Sequence, residues 1–74
     1  MITSMNEALK VLRLMNKKEV SDFVYYLEFE GWYREDKRAT RSFCKNVIIF
    51  NWDYDKSAVL RALYRAVENI YLYI

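Results

Sequence analysis

A single glycine and no proline in a chain of 74 residues constrain the folding of this sequence more than any other feature. Turns that need a positive φ draw on glycine, and sharp backbone punctuation draws on proline. A chain nearly without either favours helices joined by short connections. Neither a linker nor an internal repeat is visible, so residues 1–74 are expected to form one domain.

Local signals divide the chain into four helices, over about 4–15, 17–30, 36–49 and 55–73, which together make a small all-α bundle. Ser4 followed three residues later by Glu7 can form a capping box, in which hydroxyl and carboxylate satisfy two orphan N–H groups reciprocally. Met5, Ala8, Leu9, Leu12 and Met15 then recur at helical spacing. Asn16 and Glu19 repeat the cap signal, Met15 and Val20 stand where a hydrophobic staple would sit, and the stripe continues through Val20, Phe23, Val24 and Leu27. Gly31 is the expected terminator. The first two helices are expected to close into a tight antiparallel hairpin.

Asp36 is the expected cap of the third helix, with Thr40, Phe43, Cys44, Val47 and Ile48 along one side. Asp53 or Asp55 opens the fourth, whose stripe is Val59, Leu60, Leu63, Val67, Ile70, Tyr71 and Ile74, with Arg61, Arg65 and Glu68 opposite. An α+β alternative places a β-hairpin between two helices, because Phe23, Tyr25, Leu27 and Phe29 alternate and residues 42–52 are rich in strand formers. Helices are preferred, since caps, staple and glycine all agree with the helical stripe.

So short a domain hides only about 60% of the surface its unfolded chain exposes. Yet 54% of its residues are apolar, including seven Tyr, four Phe and two Trp, against about 45 to 50% in ordinary domains. A shared interface is the natural remedy, so a homo-oligomer or a partner protein is expected. The lone cysteine excludes an internal disulfide and suits a reducing cytoplasm. "MITSMNEALK" has no basic segment leading into an apolar run, so no signal peptide is expected. The longest apolar run, 47–50 without tyrosine and five residues with it, is far too short for a membrane span, and the few cations opposite the last stripe argue against a membrane-surface role.

The chemistry of catalysis is sparse. Without histidine, Cys44 has no imidazole to ionise it, and its place on an apolar stripe makes it a small buried hydrophobe. One glycine cannot build a phosphate-cradling loop. Asn51, Asp53 and Asp55 have the first spacings of a calcium loop, but Lys56 stands where its glycine belongs and Ala62 where its bidentate Glu belongs. Helix capping explains these acids more simply. No enzyme activity, metal, cofactor or small-molecule substrate is expected.

Two surfaces remain. Arg34, Lys37, Arg38, Arg41 and Lys45 would share an arc of about 100° on a helix wound from Asp36. Such a ridge could neutralise phosphates of DNA or RNA in a helix-turn-helix-like arrangement. Tyr25, Phe29 and Trp32 would form an aromatic arc on the second helix, facing away from its core stripe, and Tyr71, Tyr73 and Ile74 leave an apolar chain end in want of a neighbour. The expectation is therefore a non-enzymatic binding module acting by protein–protein contact, as a homodimer or by docking on a partner as a regulator or inhibitor. The alternative is a small nucleic-acid-binding regulator that uses the basic face at 34–45.

Overall fold

A computed structural model of the chain describes residues 1–27 and 40–70. Among these residues the protein is an all-helical bundle of four helices without a strand: α1 (Met5–Leu14), α2 (Lys17–Tyr26), α3 (Arg41–Asn51) and α4 (Lys56–Ala66). The central β-hairpin alternative fails where it can be examined, since 23–26 and 42–51 are helical.

Each helix starts on a side chain that accepts an otherwise orphan amide. At α1 the Glu7 amide donates to Ser4 Oγ at 3.2 Å, and the Ser4 amide donates to Glu7 Oε1 at 3.1 Å. Thr3 strengthens this box, because its amide and its hydroxyl both donate to the same carboxylate oxygen at 2.7 Å. The α2 box is built likewise from Asn16 and Glu19, with both bonds at 2.8 Å. Asp55 caps α4 by accepting from the Ala58 amide at 3.3 Å. Caps of this kind contribute about 1 kcal/mol each.

α3 starts differently from expectation. Thr40, placed on the apolar stripe by periodicity, is extended (φ −104°, ψ 151°) and exposed, and its hydroxyl accepts from the Phe43 amide at 3.2 Å. The helix therefore begins at Arg41, and the expected start at Asp36 is corrected. Two helix ends also come early. Leu27 is extended (φ −68°, ψ 126°), its amide donating to Phe23 O and Val24 O, so α2 stops before Gly31 is reached. Its fully buried side chain holds that turn in the core. Val67, a β-branched residue at ease in extended backbone, adopts φ −119° and ψ 112° and ends α4 well short of 73. Val67 and Ile70 are buried all the same.

The packing order is also not the expected one. α2 packs chiefly on α4, α1 chiefly on α3, and α3 touches both α2 and α4. The anticipated α1–α2 hairpin is not a principal contact, although only Met15 and Asn16 separate the two helices. Met15 is itself extended and fully buried, so the link turns both stripes toward one common core instead of toward each other. Phe23, Met15, Leu27, Ile48 and Leu63 are the largest side chains in that core.

Three bonds of long range fasten the periphery. The Ile2 amide donates to Tyr64 Oη at 2.8 Å, which ties the chain start to α4. Arg41 Nη1 donates to Leu12 O at 2.6 Å, and its Nη2 donates to Met15 O. The first residue of α3 thus bonds Met15 O and adds a second donor to Leu12 O, which also accepts from the Met15 amide at 3.3 Å.

Candidate functional site

Of the residues expected to bind a protein, Tyr25 alone falls within the described part, and it stands 76% exposed on α2. It meets Tyr26 edge to face, with ring centroids 5.4 Å apart, while Tyr26 in turn lies under the Arg65 guanidinium at 4.7 Å. Tyr26 is therefore part of the α2–α4 seam and Tyr25 its outward neighbour. Phe29, Trp32, Tyr71, Tyr73 and Ile74 lie outside the described residues. α2, which carries Tyr25, ends at the extended Leu27.

Of the basic ridge, Arg34, Lys37 and Arg38 lie outside the described residues, and α3 itself starts at Arg41, behind the extended Thr40. Arg41 and Lys45 do sit on α3. Lys45 is exposed, whereas Arg41 is committed to the Leu12 and Met15 carbonyls. The two described members of the expected ridge thus have different duties.

α3 also brings forward side chains that periodicity passed over. Its inward face is Cys44, Val47, Ile48 and Asn51. Ile49 is left 45% exposed and Phe50 71%, and Tyr54 in the following turn is 84% exposed. The signal was present in the run Val47 to Phe50: a helix embedded on one side has no use for four consecutive apolar residues, so two of them had to face outward.

Among the described residues Leu9, Leu12, Arg13, Arg41, Ser42 and Lys45 line an open groove of about 430 Å³ between α1 and α3. Leu9 and the almost fully buried Leu12 form its apolar floor, and Arg13, Arg41 and Lys45 stand at its rim. No described residue of the lining is acidic. Leu9 and Leu12 belonged to the expected stripe of α1, but their meeting with Lys45 required the α1–α3 pairing.

This chain matches no protein-family model, no curated protein and no solved structure. Cys44 is fully buried, and that burial pushes its thiol up to about 12, with the nearby Arg41 charge only partly opposing the shift. It is a neutral packing residue at physiological pH. Asn51, one of the calcium-spaced residues, is 2% exposed, and its Nδ2 donates to Val47 O at 3.0 Å. Asp55 is occupied as the α4 cap and also accepts from Ser57 Oγ at 3.2 Å. Asn51 and Asp55 thus have separate structural work. Among the described residues no group of three or more His, Cys, Asp or Glu side chains could hold a metal ion, and no helix is long and apolar enough to cross a membrane.

Proposed function

We propose that the protein is a non-enzymatic binding module of the cytoplasm that works by protein–protein contact, as a homodimer, by docking on a partner protein, or both, in the manner of a regulator or inhibitor. One observation carries this reading. Tyr25, Ile49 and Tyr54 stand in solvent on a chain that already fills its core with smaller aliphatic side chains and Phe23. Tyrosine buries large area at low entropic cost while its hydroxyl stays wet, which suits a surface that is covered part of the time.

The competing reading, phosphate binding through Arg34, Lys37, Arg38, Arg41 and Lys45, draws on the exposure of Lys45. It loses strength because Arg41 is bonded to α1 carbonyls. Sedimentation of the wild type, Tyr25→Asp and Tyr54→Asp tests the choice. The wild type should run heavier than a monomer or carry a captured protein, and one of the two variants should release it with its melting temperature unchanged. A monomer that captures no protein, yet binds duplex DNA or RNA with an affinity falling steeply in salt, would replace this reading with the basic one.

A further inference from the structure

The α1–α3 groove differs in chemistry from the tyrosine surface and admits a more specific statement. Its floor is aliphatic, from Leu9 and Leu12, and its rim is cationic on both helices, with Arg13 on α1 and Arg41 and Lys45 on α3. Two of these charges have a structural use. Arg13 lies in the last turn of α1, and Arg41 bonds the carbonyls there, so both oppose the negative end of the α1 dipole. Lys45 sits one turn into α3, beyond that carbonyl cluster, and is exposed. Stabilising α1 does not require it. Ile49, four residues on, extends the same flank of α3 with an exposed aliphatic side chain.

An apolar floor between positive rims fits one kind of occupant. A nucleic acid backbone would meet the rim but leave the leucines unsatisfied. A free fatty acid wants a cavity that encloses most of its surface, and this groove is not an enclosed one. A helix with leucine-type side chains on one face and carboxylates on both flanks satisfies floor and rim together. The geometry points to an acidic amphipathic helical segment of a partner protein as the ligand of the α1–α3 groove, its apolar face on Leu9 and Leu12 and its carboxylates against Arg13 and Lys45. The inference rests on the reading that the chain acts by docking, and it names the partner's chemistry.

Selection from an unbiased displayed library of random peptides about 16 residues long, enough for about 24 Å of helix, tests it on the full chain. Wild-type protein should enrich peptides of net negative charge with Leu, Ile, Phe or Met at i, i+3, i+4 and i+7. Their affinity should fall with salt and drop about tenfold or more against the double variant Arg13→Glu/Lys45→Glu, which changes exposed side chains alone. Ser42→Trp, which fills the groove from an exposed position while leaving every charge in place, should abolish binding. Tyr25→Asp should leave peptide binding intact, so failure of the tyrosine interface is distinguishable from failure of the groove. Enrichment of neutral or basic peptides, equal binding by the charge-reversed protein, binding unaffected by Ser42→Trp, or no enrichment at all would each overturn the assignment.

Discussion

α3 and α4 are the same length, each has a side-chain cap, and each crosses the same core, yet they use their apolar residues differently. α4 turns Ala58, Val59, Ala62, Leu63 and Ala66 inward and keeps Arg61, Tyr64 and Arg65 outside. α3 turns Cys44, Val47, Ile48 and Asn51 inward and still shows Ile49 and Phe50 to solvent. The small alanines of α4 let α2 come close, consistent with α2–α4 being the most extensive contact in the bundle. Folding alone accounts for the pattern of α4. The pattern of α3 leaves Ile49 half exposed on the flank next to Lys45.

The strongest way to break this contrast is to truncate one residue of each kind. Leu63→Ala, at a fully buried position, should cost about 3 kcal/mol in urea unfolding, since the removed methyl groups leave a cavity in a packed core. Ile49→Ser should stay within about 0.5 kcal/mol, because the side chain is already half in water. A large loss at Ile49 would make the outer face of α3 part of the core and remove the contrast.

A smaller effect concerns the start of α3. Arg41→Leu takes the guanidinium donors from Met15 O and from Leu12 O, which keeps only the Met15 amide, and should cost about 1 to 3 kcal/mol, with Arg41→Lys recovering part of it. Amide exchange should locate the loss at residues 12–15 as well as at the α3 start. If Arg41→Leu melted like the wild type, the clamp would be incidental, and Arg41 would return to the pool of charges free for a ligand.

The smallest effect at neutral pH belongs to Cys44. Its folded-state pKa is raised to about 12 by burial, so native protein keeps the proton while the unfolded chain ionises at the ordinary thiol value. Its contribution is fully present below that ordinary value and is lost as pH rises toward 12. Comparing urea unfolding of the wild type and Cys44→Ala at neutral and alkaline pH should show the wild type losing its relative advantage at the higher pH. Alkylation of the native thiol should proceed only as fast as the protein opens. Rapid alkylation of folded protein would place Cys44 on the surface with Ile49.

Much of the bundle was legible because much of it is local. Ser4 with Glu7, Asn16 with Glu19, and Asp55 with Ala58 are bonds between residues three apart, and such spacing is visible in any one-dimensional reading. The inward stripe of α4 was equally plain through Leu63. Thr40 was missed because Asp36 offered an equally good cap and the helical period happened to put Thr40 on the stripe. The early ends of α2 and α4 were missed because Leu27 and Val67 are apolar residues on the stripe, and whether a buried residue is helical or extended depends on what packs around it.

The candidate surfaces divide along the same line. Tyr25 and Lys45 were expected at the surface and stand there. The role of Arg41 was not readable, because the carbonyls it serves lie 29 and 26 residues earlier in the chain. Nor was the groove, since Leu9 and Lys45 become neighbours only when α1 chooses α3 over α2. Sequence alone determined four helices, the caps of three of them and the surplus of apolar side chains, all set by interactions within a turn or by composition. Tertiary structure decided which helices pair, where two of them stop and which cations remain exposed, because those outcomes follow from how separate stripes share one small core.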